Sequence, residues 1–313
     1  MTPVREFVVP ESLDGARVDK AALALATPVL SATSRAQMKR AIEDGAVRVN
    51  GKRRPKGALV AAGEVITIAE AAVPGKDGPA SPEPNAPLVV RYSSSDLLVV
   101  DKPAGQASAP LRDGEGGTLA NALVGHYPEL AGVGYSPREP GLVHRLDTDT
   151  SGLLVVARNA GAFEALKGAL KADRLHKTYL LVCRQADLPD LGTIELPLAS
   201  HPKDQRRVYP CVHARDVVRY SPRPAKTTYE VVRRGEVWAL VEVAVARALR
   251  HQIRAHFAAI EHPLAGDTLY GGEAVPSLSH HALHASRVAF DDDKLGFDVT
   301  SPAPQEMTEL ASR

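Results

Sequence analysis

Residues 141–159 read GLVHRLDTDTSGLLVVARN. A histidine, two arginines and two aspartates sit within this span, and a Thr-Ser-Gly turn leads from them into an apolar run. The run Leu153–Ala157 reads as a strand buried on both faces. The polar residues ahead of it therefore fall on a loop delivered by the core of a sheet, where scaffolds hold reactive groups. Asp147 is the carboxylate at the centre of that loop. With Asp149 it could form a pair of acid and base, but two residues apart on one loop fixes no useful separation. Ser151, His144 and Asp147 are the residue types of a hydrolase triad, yet no strand–turn–helix elbow surrounds the serine.

Other stretches carry weaker signals. SHHALHASR holds His280, His281 and His284, but no second ligand cluster accompanies them, so we expect no metal. RALRHQIRAH holds Arg247, Arg250 and Arg254. It reads either as a solvated helix face or as an anion clamp, since guanidinium forks match phosphate and carboxylate. A partly buried carboxylate needs such a cation to stay ionised, and an ionised aspartate in a protected site can act as a nucleophile.

Composition limits the classes to be considered. The 313 residues suggest two domains, and 44% hydrophobic content is enough for a real core. Aromatics are only 4%, so that core is built mainly of Leu, Val and Ala. Cys183 and Cys211 lie far apart, which argues against a disulfide framework or zinc site and for a reducing compartment. No apolar run approaches the ~18 residues of a membrane span, and the first residues do not resemble a signal peptide. We expect a cytoplasmic protein without membrane partners.

Charge is balanced over the chain, at +1, but not along it. From Arg35 to Lys56, eight basic residues face only Glu43 and Asp44. SRAQMKRAIEDG opens with Ser34 and carries Gln37 three residues on, a capping-box pattern. Met38 and Ile42 share one face, and Gly45 suits a helix end. AVRVNGKRR then reads as a strand turning at Asn50-Gly51. Helix and hairpin would gather Arg35, Lys39, Arg40, Arg48, Lys52, Arg53 and Arg54 into a positive surface able to bind phosphates. A solvated basic face is the alternative.

Residues 71–87 are rich in Pro and Gly without apolar periodicity and read as an extended linker. They separate a small domain, 1–70, from a larger one, 88–313. In the larger domain, strands are expected at Leu88–Tyr92, Leu97–Asp101, LLVVARN, KTYLLVCRQ and VWALVEVAVA. AGAFEALKGALKADRLH reads as an amphipathic helix and RHQIRAHFAAIEHP as another. Strands outnumber helices without alternating with them, giving a mixed α+β class, with a largely antiparallel sheet in the catalytic domain and a small N-terminal α/β domain.

The order of these segments resembles the RluA family of pseudouridine synthases. HRLDTDTSG resembles its His-Arg-Leu-Asp-x-x-Thr-Ser-Gly signature. LLVVDKPAG, HKTYLLV, RHQIRAHFAAIEHPLAGDTLYGG and HALHASRVAF are similar to four further blocks, in family order, between Leu88 and Pro304. The stretch from about Ala16 to Ile68 resembles the alpha-L RNA-binding module carried by many members. The resemblance implies isomerisation of uridine to pseudouridine in structured RNA, without cofactor or metal, by a monomer. It places Asp147 at the essential aspartate and Tyr179 at the active-site tyrosine packing on the base. Arg145, Arg254 and Leu283 fall among its substrate-binding positions. Where the family has an arginine in Thr-Gly-Arg-x ahead of His-Gln-Ile-Arg, this chain has Leu249. The cation for Asp147 is then expected from Arg250, with Arg247 the alternative. Thr148 stands where basic residues are common. Large-subunit ribosomal RNA is the expected substrate and transfer RNA the alternative; a non-catalytic RNA-binding or assembly factor on the same scaffold is the rival reading.

Overall fold

The computed structural model describes residues 4–26, 35–69, 78–245 and 248–312; side chains 35–37 and 40 lie outside that description. The Ser34–Gln37 cap, the Arg35 and Arg40 side chains and Arg247 therefore fall outside it, as do residues 71–77 of the linker. The chain divides into two compact units, Met1–Gly78 and Pro79–Arg313.

In the first unit, strands β1 (Val4–Val8) and β2 (Val47–Val49) pair antiparallel with β3 (Val65–Ala69), which lies between them. Helices α1 (Val18–Ala26) and α2 (Arg35–Glu43) complete the unit. Met38 and Ile42 are buried with Val47, Val49, Ile66 and Ile68, as their spacing on one helix face requires. Asn50 and Gly51 both take positive φ, +49° and +74°, and Val49 and Lys52 exchange backbone hydrogen bonds across them. That is the two-residue turn expected, but the chain beyond Lys52 does not continue as a strand: β2 finds its sheet partner in β3 instead.

The second unit begins before its first strand. Ala80 is buried in the main core, the Glu83 carboxylate accepts from the Gly117 backbone N–H, and Asn121 donates to the Ser81 carbonyl. Residues 79–87 are thus packed on this unit rather than being linker, because their backbone polar groups find fixed partners there.

Strands β4 (Val89–Ser93) and β5 (Leu97–Lys102) form a hairpin, followed by α3 (Leu119–His126), β6 (Ser151–Ala157), α4 (Ala160–Lys171) and β7 (Leu175–Arg184). Next come β8 (Leu191–Ile194), β9 (Leu198–Ser200), β10 (Val208–Pro210), α5 (Ala214–Tyr220), β11 (Thr227–Arg234) and β12 (Trp238–Ala244). Helix α6 (Gln252–Ala259), β13 (Leu283–Phe290), β14 (Phe297–Thr300) and α7 (Gln305–Leu310) end the unit. One sheet runs β4-β5-β6-β13-β7-β12-β11-β8, with β14 on β13, while β9 and β10 pair apart from it.

Every pairing in the large sheet is antiparallel except β6 with β13. Both faces of the sheet are covered, which explains the LLVV runs. Leu98, Val100, Leu154 and Val156 enter one core, while Leu97, Val99, Leu153 and Val155 enter the other, alternate residues pointing to opposite faces. At the parallel pairing Gly152 faces Ala285 with φ +111°, and a Cβ there would lie 2.3 Å from the Ala285 carbonyl oxygen. Only glycine allows β6 and β13 to approach so closely.

Helix α6 starts at Gln252, not at Arg250 as the apolar pattern suggested, because His251 sits in the left-handed region with φ +53°. Among the described residues no helix is long and apolar enough to cross a membrane.

Candidate active site

The loop 142–150 leaves the sheet beside β6 and carries Asp147 to the mouth of a small recess. Arg145, Leu146, Tyr179, Leu249, Arg254 and Leu283 are among its lining residues, and it opens into a cavity of about 1,020 Å³ that also exposes Asp147. Tyr179 comes from β7 and Leu283 from the start of β13, strands paired beside the loop. The sheet therefore brings together Asp147, Tyr179 and Leu283, the last more than a hundred residues from the other two in sequence.

Arg254, on the first turn of α6, is the cation that meets Asp147. Its Nη1 donates to Asp147 Oδ2 at 3.2 Å, while Nε and Nη2 donate bidentately to Asp267 at 2.7 and 2.8 Å. The guanidinium is 7% exposed and lies over the Tyr270 ring. Burial would lower its pKa, but the Asp267 and Asp147 carboxylates outweigh that and raise it. The partner expected in Arg250 is thus corrected. Arg250 is exposed, and its Nη2 donates to the backbone carbonyls of Gln205 and Arg207. Two residues before α6, ahead of the left-handed turn at His251, its side chain turns to those carbonyls, whereas Arg254 on the first turn of the helix meets the loop. Leu249 then deprives Asp147 of nothing.

His251 completes the surroundings of Asp147. The Val208 backbone N–H donates to Tyr270 Oη at 2.8 Å, and that hydroxyl lies 3.0 Å from His251 Nδ1. Nε2 faces Asp147 Oδ2 at 3.7 Å. Burial lowers the His251 pKa against the pull of Asp147. The ring is therefore biased to its neutral form beside the carboxylate. The left-handed backbone at His251 is strain held at the site.

Tyr179 is 4% exposed, and burial, with the Asp147 charge behind it, pushes its hydroxyl pKa up. It stays protonated and can donate, but it cannot act as a base near neutral pH. Leu283 lines the recess, and Arg145 stands at its rim, exposed and paired with Glu139 at 2.9 Å.

Three clamps fix the loop, and none was legible as such. Lys102, fully buried at the end of β5, donates to the carbonyls of Pro103, Gln106 and Thr148 at 2.7–2.9 Å. Burial lowers its pKa to about 8 against the pull of Asp149 and Asp147. Thr150 Oγ1 bonds His281 Nε2 and Ser151 Oγ bonds His284 Nδ1, each at 2.8 Å; His280 Nε2 lies 3.7 Å from Asp149. The three histidines thus diverge to three different residues of the loop. His144, the other triad candidate, accepts from the Val155 backbone N–H and does not meet Ser151. The signals available were a lysine closing an apolar run, LLVVDK, and an aspartate within AGDTLYGG, where Asp267 and Tyr270 lie.

In the first unit the basic residues differ in availability. Arg48, Lys52 and Arg53 are exposed, although Arg48 and Arg53 also donate to the carbonyls of Gly51 and Asp44. Arg54 is partly buried in a fork on Glu64, and Lys39 lies 3.8 Å from Glu43.

The chain matches the family model described as RNA pseudouridylate synthase over residues 96–259, and the S4 domain over residues 29–68. An uncharacterized RNA pseudouridine synthase of Bacillus subtilis is 34% identical, over 88% of each chain. A protein of Xanthomonas campestris named ribosomal large subunit pseudouridine synthase D is 34% identical, over 99% of this chain and 92% of its own. The structure of human RNA pseudouridylate synthase domain containing 1 superposes with a TM-score of 0.57 at 26% identity, covering 70% of this chain and 84% of its own.

Proposed function

Given that the chain belongs to the RNA pseudouridylate synthase family, we propose that it isomerises uridine in large-subunit ribosomal RNA, with Asp147 as its essential carboxylate. The observation that carries the residue assignment is the convergence of Arg254 and His251 on Asp147 Oδ2 beside the buried Tyr179.

The reaction breaks the bond from ribose C1′ to uracil N1, turns the base, forms a bond from C1′ to C5, and removes the C5 proton while N1 gains one. Asp147 acts on the sugar, either by attacking C1′ or by taking a ribose proton. Both routes need an oriented carboxylate, and Arg254 Nη1 holds Asp147 Oδ2 at 3.2 Å with the His251 ring beside it. Arg254 is itself fixed by Asp267, so the cation does not move when substrate enters. Tyr179 keeps its proton and offers the base a flat, dry wall. A stacked nucleotide cannot reach Asp147, and flipping it out costs a few kcal/mol. Phosphate contacts by the cavity and by Arg48, Lys52 and Arg53 of the N-terminal module offset that cost.

Ribosomal RNA is favoured because several relatives of about 34% identity are named for the large ribosomal subunit, with coverage of nearly this whole chain. Chemical mapping of pseudouridine tests both parts. Ribosomal and transfer RNA from cells with the native protein or Asp147→Asn are compared. A large-subunit site present only with the native protein is the expected result. A site lost from transfer RNA alone would reassign the substrate, and a site persisting with Asp147→Asn would remove the aspartate from its role.

A further inference from the structure

Helix α5 and the β9–β10 hairpin hold a second cavity of about 760 Å³, a size that suits a small organic ligand. Arg223, Leu249 and Arg250 line both this cavity and the one over Asp147, so the two adjoin. Arg207, Arg223 and Arg250 all line it, and no carboxylate does.

Several other arginines of the unit are held by carboxylates. Arg91, Arg158 and Arg287 each meet a carboxylate, on Asp101, Glu129 and Asp298. Among the described residues the Arg223 side chain meets no carboxylate and no hydrogen-bond acceptor. Arg207 Nε is buried without a hydrogen-bond partner, its guanidinium lying over the Tyr270 ring at 5.6 Å. Arg250 keeps its place through the Gln205 and Arg207 carbonyls, which also fixes the turn that presents Arg207. Gathering three guanidiniums costs energy that an anion would recover, and their forks match phosphate oxygens. The remaining wall combines Leu198, Val208, Leu249 and the Tyr220 ring with polar residues, among them Ser200, His201 and Gln205, and suits a sugar and base.

We propose that this cavity is a subsite for the nucleotide adjoining the target uridine on the same strand, its phosphate held by Arg207 and Arg223 and its base placed against Tyr220. The proposal rests on the reading of Asp147 as the site of reaction, since adjacency to that cavity is what makes the ligand a linked nucleotide. Leu249 separates the two chambers, so the strand passes over an apolar sill from one to the other.

The test uses the full chain carrying Asp147→Asn, so that binding is read without turnover. Affinities for unmodified transcripts of large-subunit ribosomal RNA and transfer RNA are measured across a potassium chloride series. Arg223→Gln is expected to weaken binding of the preferred RNA by about five- to tenfold at 100 mM salt and to reduce the slope of log K against log salt by about 0.7, one single-strand phosphate. Arg207→Gln should do the same, and Arg223→Lys should restore the slope but not the full affinity. Unchanged slopes in both glutamine variants, with melting temperatures retained, overturn the subsite. So does the alternative in which inorganic phosphate raises the melting temperature in an Arg223-dependent way while RNA binding is unaffected, because the site then serves a free anion. If the Asp147→Asn parent binds neither RNA, the assignment of substrate falls instead, and the two failures are told apart.

Discussion

Arg254 serves two carboxylates at once, and its charge cannot be replaced without loss at both. Arg254→Lys keeps a cation but not the fork, so Asp267 loses a bidentate partner and Asp147 its fixed donor. Turnover of Arg254→Lys is expected to fall at least tenfold further than that of Arg250→Ala, measured as kcat on the same RNA; the reverse order would return the pairing to Arg250. From the sequence the cation for Asp147 is expected in Arg250, with Arg247 the alternative, and Arg254, four residues beyond Arg250, reads only as a substrate-binding position. What separates Arg250 from Arg254 is the left-handed turn at His251, a backbone feature no residue pattern announces. The histidines carry a second expectation. Burial lowers the pKa of His281 to about 4 and of His144 to about 3, from an ordinary 6.5. Unfolding lets both bind protons, so their contribution is complete above pH 6.5 and is lost as pH falls from 6.5 toward 4. Each withdraws on the order of 3 kcal/mol over that window. Melting temperature should therefore drop steeply below pH 6, and His281→Asn should flatten that drop; an unchanged pH profile in the variant would mean that His281 charges freely in the folded chain.

The elements that deliver the site were the best read from sequence, because their signals are local. Both LLVV runs became strands with alternate residues in two cores, and the helix after Asn159 formed with Asn159 as its cap. The start of α6 was misplaced for the reason just given. The pairing of β6 with β13 was not legible, since parallel neighbours more than 130 residues apart leave no mark on spacing. Its trace is Gly152. Adding one methyl there meets Ala285 backbone oxygen and nitrogen at 2.3 and 2.6 Å, in a conformation that side chains rarely adopt. Gly152→Ala is expected to destabilise the protein by about 3 kcal/mol or more. Gly168, inside α4, has open space around it. Gly168→Ala should instead stabilise by about 0.5–1 kcal/mol. Urea midpoints of the two variants check the contrast, and equal shifts would mean that β6 and β13 can separate without cost.

At the scale of the whole chain, the two-part plan followed from composition, while the point of division did not. Pro and Gly made residues 71–87 look extended, yet Ala80 and Glu83 have fixed partners in the second unit, and such long-range pairings are invisible to composition. The hydrophobic cluster of the first unit draws on residues between Phe7 and Ile68, and those of the second on residues from Ala80 onward. Each unit therefore has its own core, and removal of residues 1–78 should leave the melting transition of the second unit in place. RNA affinity should behave differently. Arg48, Lys52 and Arg53 are exposed on the first unit, whereas Arg54 is committed to Glu64. If those three meet phosphates, deletion lowers the slope of log K against log salt by about 2, leaving a residual slope from the second unit. Binding of large-subunit ribosomal RNA to the full and shortened chains, each with Asp147→Asn, measures the difference. A reduced slope assigns the first unit to holding RNA. An equal slope would make its basic surface a solvated face and would leave the whole electrostatic attraction to the cavities around Asp147.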